Sequence, residues 1–302
     1  MVLSKDRFLG CVVGCAIGES LAKNMESPDF KLGVNSRMAI CAGDALIRCN
    51  GSAETFKESL SASLVSLCEH SPDQLTESMA AFATAAKLQV AVDESALLGP
   101  HSECNSRAVL IGAYWHDIFT KAIQYGIISC EATSESPQAK CGSAAAAVGT
   151  LLAFKEVPVG CMASEIGAVT AGIDDYFSRC LKVSSRMVAA GISPERALSN
   201  NGLRGTEMAA DAMACSIYCA MMAVDFKDAI VMASLCGSMS AVVGCTVGAW
   251  VGARMGAQGI PEEWLQKIES KSDLETLAAD IEADFAERKK KKNDLALMSD
   301  YA

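Results

Sequence analysis

The segment LCGSMSAVVGCTVGAW, Leu235 to Trp250, lies inside a run from Ala229 to Ala253 that holds no charged residue. Glycines recur every fourth residue at Gly244, Gly248, Gly252 and Gly256. Positions three to four apart share one face of an α-helix, so the spacing describes a glycine stripe on a single helix. A stripe without side chains lets a second helix approach closely, in a membrane pair or in a tightly packed bundle. The run is long enough to span a bilayer. It is built, however, from Gly, Ala, Ser and Cys rather than Leu, Ile and Phe, and Arg254 and the acidic IPEEW (Ile260–Trp264) follow closely. We read it as a buried helix of a bundle, not as a membrane span.

The rest of the 302-residue chain agrees. Apolar residues make up 51% of it but aromatic residues only 6%, and there are 7 prolines. The apolar mass is therefore Ala, Gly, Val, Leu, Met and Cys, without the enrichment in β-branched and aromatic residues that strands require. Helical patterns recur along the chain, among them 5–22, 36–49, 105–125, 206–222, 241–256 and 273–290. Start signals are legible: GISPERA (Gly191–Ala197) and GIPEEW (Gly259–Trp264) break one helix and open another at Pro194 and Pro261. These features predict one compact all-α domain over residues 1–290 and a charged C-terminal tail over 291–302. The longest stretch without a pattern is the loop at 91–104, and long loops are often functional.

The formal net charge is −10, which argues against a nucleic-acid face. The one basic run, Arg288 to Lys292, reads as the solvated end of a helix or a tail, with a localisation signal as the other reading. Arg7 to Ala22, RFLGCVVGCAIGESLA, mimics a short signal peptide but suits a buried first helix better. The 14 cysteines lie mostly in apolar segments, and His70, His101 and His116 stand at no ligand spacing. Cys therefore reads as a small core residue of a reduced, cytoplasmic protein.

Four segments resemble the ADP-ribosylglycohydrolase family, in order. RFLGCVVGCAIGESLA resembles its opening helix, which ends in G-D-A. NSRMAICAGDALIRC (Asn35–Cys49) resembles the helix after its T-D-D-T-Q-M motif. SECNSRAVLIGAYW (Ser102–Trp115) resembles its G-x-x-M-R-x-x-P-L-G helix. Gly237–Ile268 resembles its G-D-T-D-T-V-G-A helix, with the glycine ladder and I-P-E-E-W. The resemblance implies an orthogonal bundle of about a dozen helices whose cleft holds two Mg²⁺ ions through carboxylates and hydroxyls. Aligned through the glycine ladder, the late metal motif falls on Met239, Ala241 and Val242. The early one falls on Val34, Asn35 and Ser36. Of the family's acidic positions only Glu19, where the opening helix has G-D, keeps a carboxylate. Mg²⁺ demands near-octahedral oxygen ligands, and a methionine sulfur is a soft donor. The expectation is a vestigial cleft with no metal, no cofactor and no catalytic residue.

The stretch NGLRGTEMAADAMACSIYCAM (Asn201–Met221) resembles more loosely the branch of J-type lens crystallins of jellyfish and selenoprotein J. That resemblance implies a bulk structural role in a lens, which with the altered metal motifs gives an inactive, cytoplasmic protein of lens-crystallin type; self-association is a further expectation, and charge and composition point to no nucleic-acid or membrane partner. The alternative is an ADP-ribosyl hydrolase or ADP-ribose-binding protein with a metal-poor site, using Glu19, Glu103 and Arg107. The simpler readings of these side chains are a solvated loop acid for Glu103 and an ion pair or cap for Arg107. Cys104 is a candidate exposed nucleophile without a histidine partner. Asp174-Asp175 reads as a helix start, and Asp44 is not counted as a ligand.

Overall fold

A computed structural model describes residues 4–299 apart from 28, 72–76, 89–98, 100 and 207. The helices in chain order are α1 (Ser4–Lys23), α2 (Val34–Arg48), α3 (Ala53–His70), α4 (Glu77–Leu88), α5 (Glu103–Arg107), α6 (Val109–Tyr114), α7 (Phe119–Glu131), α8 (Pro137–Phe154), α9 (Met162–Thr170), α10 (Asp175–Ala189), α11 (Pro194–Ala197), α12 (Ala209–Met222), α13 (Phe226–Ser234), α14 (Ser240–Met255), α15 (Glu262–Leu265) and α16 (Lys271–Ser299). No strand occurs among the described residues, and one isolated bridge joins Phe30 to Ile268. The all-α class is as expected.

The glycine stripe of α14 lies at the centre, and its partner is a second stripe on α1. A Cβ at Gly10, Gly14 or Gly18 would stand 2.3, 2.4 or 2.1 Å from the carbonyl oxygens of Gly252, Gly248 and Gly244. The converse holds at Gly244, Gly248 and Gly252, which face the oxygens of Gly18, Gly14 and Gly10 at 2.3, 2.1 and 2.0 Å. The two helices run antiparallel with their backbones in contact, so no side chain larger than hydrogen fits between them. Beside the stripe, Cys15 Sγ and Cys245 Sγ meet at 3.2 Å.

The uncharged run from Ala229 is not one helix. It is α13 and α14, broken at Gly237, which takes φ +60°, the left-handed region that favours glycine. No helix among the described residues is long and apolar enough to cross a membrane. A third central helix, α8, is buried on nearly every face and is rich in alanine. The Trp250 indole lies over Gly149 of α8, and its Nε1 donates to the Ala146 carbonyl at 3.0 Å.

Around this centre the sequence signals mostly hold. Asp174 caps α10, accepting from the Phe177 amide at 2.6 Å. Pro194 opens α11 at its first turn, and Pro261 takes the cap position of α15. The single helix expected over 105–125 is instead three, α5, α6 and α7. The turn at Trp115–Asp117 is held where His116 Nδ1 meets the Ala113 carbonyl at 2.8 Å. The last helix reaches Ser299, so its backbone stays helical through most of the stretch read as a tail. Arg288, first of the basic run, is not a free end. It stacks over Tyr114 and Trp115 at 4.3 and 4.5 Å, donates to the Tyr114 carbonyl at 2.6 Å and pairs with Asp284 at 2.9 Å. The loop expected at 91–104 is described only at Gly99 and from His101 onward.

Candidate functional site

Glu19 projects from the last turns of α1 toward the first turn of α2, and only 3% of it is exposed. Helix starts present amide N–H groups that no upstream carbonyl satisfies. Here the Glu19 carboxylate satisfies them. Oε1 accepts from the Asn35 amide at 3.0 Å and from Asn35 Nδ2 at 2.8 Å. Oε2 accepts from the Ser36 amide at 2.7 Å and from Ser36 Oγ at 2.6 Å. The cap residue, Gly33, has no side chain to perform this task, and a Cβ there would sit 2.3 Å from Glu19 Oε1. The network continues outward: Ser106 Oγ donates to Asn35 Oδ1 at 2.8 Å, tying α5 to α2. The sequence places Glu19, Asn35 and Ser36 in one cleft, and the fold does bring them together. They meet as a buried helix cap.

The late motif arrives at the same end of the bundle. Gly18, next to Glu19, packs on Gly244, and a Cβ at Gly244 would also meet Ala22. Met239 closes a 3₁₀ turn just before α14 and is 3% exposed, Val242 is 6% exposed, and Ala241 is half-buried. None offers an oxygen from its side chain.

Glu103 and Arg107 differ from expectation. Glu103 is no solvated loop acid: it begins α5 and is buried. Arg107 is fully buried and forms no ion pair among the described residues. Its Nη2 donates to Thr133 Oγ1 at 2.7 Å and to Cys104 Sγ at 3.2 Å, while Nε and Nη1 have no hydrogen-bond partner among the described residues. Cys104 is equally buried, not an exposed nucleophile. A hydrogen bond from Cys130, and the neighbouring guanidinium, draw its thiol below the ordinary range. The three residues share α5, but they form no open site with Glu19.

Another buried carboxylate escapes sequence reading. Asp211 on α12 is 1% exposed and accepts from Tyr176 at 2.8 Å and from the Thr206 amide and hydroxyl, each at 2.5 Å. The available signal was a lone acid in the apolar run AADAMACSIYCAM. Its role, like that of Glu19, is to hold a chain turn against a helix.

The sequence pattern of ADP-ribosylglycohydrolases matches residues 2–291, nearly the whole chain. The chain belongs to the ADP-ribosylglycohydrolase family. Among solved structures it is similar to one titled "ADP-ribosylglycohydrolase-related protein complex", with a TM-score of 0.69 and 15% identity over 92% of this chain and 97% of that one. At that identity the likeness speaks for the fold alone. No curated protein sequence matches the chain.

The family implies a pair of Mg²⁺ ions, and the residues at the corresponding positions fit them poorly. Both Glu19 oxygens already accept two hydrogen bonds each. Asn35 Oδ1 accepts from Ser106 Oγ at 2.8 Å, and the single Ser36 hydroxyl proton lies between Glu19 Oε2 at 2.6 Å and the Gly33 carbonyl at 3.1 Å. The opposite side supplies a thioether and two hydrocarbon side chains. Mg²⁺ needs hard oxygen ligands in near-octahedral array, so we derive no chemical step through it. Among the described residues no group of three or more His, Cys, Asp or Glu is placed to hold a metal.

Proposed function

We propose that this ADP-ribosylglycohydrolase-fold protein does not perform two-metal hydrolysis and has a structural role of lens-crystallin type. The observation that carries the reading is the Glu19 carboxylate, whose two oxygens are engaged by four donors from Asn35 and Ser36 at the start of α2. A metal-binding or acid–base carboxylate must offer a lone pair or a proton to something outside the fold, and this one is turned inward. Met239, Ala241 and Val242 supply no replacement ligand. The composition suits a protein held at high concentration: net charge −10 opposes association, and 14 Met and 14 Cys give a polarisable core. The second reading, an ADP-ribose binder built on Glu19, Glu103 and Arg107, asks three buried side chains to turn toward a ligand.

The test is calorimetric titration with ADP-ribose, with and without Mg²⁺. The proposal expects no binding heat in either condition. Metal-dependent binding would return the chain to the working hydrolases, and metal-independent binding would make it an ADP-ribose reader.

A further inference from the structure

Cys104 on α5, Cys130 on α7 and Ala139 on α8 form a small buried cluster apart from the main core. The single Cys130 proton lies between the Cys104 sulfur and the Ser134 carbonyl, the latter 3.6 Å from Cys130 Sγ. Arg107, one turn after Cys104 on the same short helix, sets Nη2 3.2 Å from the Cys104 sulfur and 2.7 Å from Thr133 Oγ1. Cys104, Arg107 and Cys130 are wholly buried, and Thr133 nearly so.

A guanidinium stays charged at any ordinary pH, and a buried charge left uncompensated is costly. Arg107 forms no ion pair among the described residues, and the side-chain atoms that accept from it are a hydroxyl and the Cys104 sulfur. That sulfur is the acceptor able to supply a negative charge, as a thiolate. The hydrogen bond from Cys130, with the guanidinium behind it, outweighs burial and the charge of Glu103, and the Cys104 thiol is drawn below its ordinary range. The same hydrogen bond, and burial, push Cys130 well above it. Arg107 Nε and Nη1 keep N–H groups with no hydrogen-bond partner among the described residues, whereas buried donors are ordinarily satisfied. One small cluster thus joins a cation-paired sulfur, a neighbouring thiol and unused donors.

We propose that Cys104 and Cys130 are a peroxide-reactive pair, in which Cys104 attacks a hydroperoxide and Cys130 resolves the product to a disulfide. The Cys104 thiolate attacks one oxygen of hydrogen peroxide. The S–O bond forms as the O–O bond breaks, and the departing hydroxide takes up the proton that Cys104 released on ionising and leaves as water. The unused N–H groups of Arg107 stabilise the charge that develops on that leaving oxygen. The Cys130 sulfur then displaces the hydroxyl of the sulfenic acid. The S–S bond forms, the S–O bond breaks, and the Cys130 proton leaves with the hydroxyl as a second water. Two electrons pass from the sulfurs to the peroxide. The oxidant is small, and local opening of the five-residue α5 admits it. Cys15 and Cys245 supply the contrast. Their sulfurs lie 3.2 Å apart in the core. The charge beside them is that of Glu19, and burial, Cys15 and that carboxylate hold the Cys245 thiol well above its ordinary value.

The test treats the folded full chain with a small excess of hydrogen peroxide, blocks the remaining thiols with N-ethylmaleimide on unfolding, and maps the peptides by mass spectrometry over time. The Cys104–Cys130 disulfide is expected to form at least tenfold faster than a Cys15–Cys245 disulfide. Cys130→Ser should halt Cys104 at the sulfenic acid, read as a dimedone adduct trapped on unfolding. Arg107→Met, checked for folding by circular dichroism, should slow the oxidation of Cys104 at least tenfold. Oxidation confined to the exposed Cys161, or a Cys104–Cys130 disulfide no faster than the Cys15–Cys245 one, would overturn the proposal. So would an unchanged rate in folded Arg107→Met. If that variant does not fold, the comparison of the two pairs in the unaltered chain decides alone.

Discussion

Glu19 gives both of its carboxylate oxygens to the first turn of α2. Removing its charge should be costly, because Ser36 presents two donors to one oxygen inside the fold. Glu19→Gln places an amide N–H₂ or a weaker acceptor there, and losing charge-assisted hydrogen bonds from a buried site costs about 3 kcal/mol. A lower urea midpoint at unchanged slope is the expected result. An unchanged or raised midpoint would mark Glu19 as a residue held for function against stability. His116 supplies a second residue-scale prediction. Burial holds its imidazole below the ordinary 6.5, with the ring stacked on Phe154 at 4.8 Å. Below pH 6.5 the unfolded chain takes up a proton that the folded one resists. The stability present above that pH is therefore lost as pH falls through the folded value. His116→Phe should flatten the fall in melting temperature between pH 7 and 5; an unchanged slope would contradict the assignment. At this scale the sequence is legible only where a side chain acts locally. Asp174 caps its own helix, so DDYF reveals it. Glu103 looks solvated because its short helix and its burial come from distant packing. Besides its neighbour Cys104, Arg107 donates to Thr133, beyond the end of α7, and nothing near Arg107 announces that contact.

Among the elements, α1 and α14 are the most legible and the most constrained. Glycine at every fourth position says that something comes close. The identity of that partner was also written, in the same spacing at Gly10, Gly14 and Gly18 of the first helix. Gly248→Ala would drive a methyl to 2.1 Å from the Gly14 carbonyl oxygen, backbone against backbone. Overpacking of this kind costs about 3 kcal/mol, and neither helix can shift alone because three such contacts lie in register. Gly160→Ala is the matched control: nothing lies within 4 Å of its new methyl. Thermal unfolding should show a large loss for the first and almost none for the second. Similar losses for both would mean that the stripes are not the contact described. What the element pattern does not reveal is where a long apolar run turns. Gly237 breaks the uncharged run by a left-handed backbone, and a glycine in a glycine-rich segment carries no mark of which one will do so. The splitting of 105–125 into three helices is hidden for the same reason: turns at Ala108 and Trp115 are imposed by tertiary contacts, not by Pro or Gly.

For the whole molecule, composition alone indicates an all-α bundle, since small apolar residues fill a core only if helices pack closely. Order and spacing of four segments then indicate the family, and the match over residues 2–291 establishes it. The charged end was harder to read. The basic run reads as the solvated end of a helix or a tail: Lys289, Lys290 and Lys291 are exposed on α16, which runs on to Ser299, while Arg288 is held over Tyr114 and Trp115. The functional proposal at this scale rests on the two aligned metal motifs, which hold no carboxylate at Val34–Ser36 or at Met239–Val242, and on Glu19 of the opening helix, which caps α2. The most direct measurement is an electron paramagnetic resonance titration with Mn²⁺, an oxygen-seeking ion that reports its own binding. The account predicts that the six-line signal of free Mn²⁺ is undiminished by stoichiometric protein. Loss of two equivalents of that signal, reversed by Mg²⁺, would mean that Glu19 and its neighbours still hold the family's metal pair and that the proposed retirement of the site is wrong.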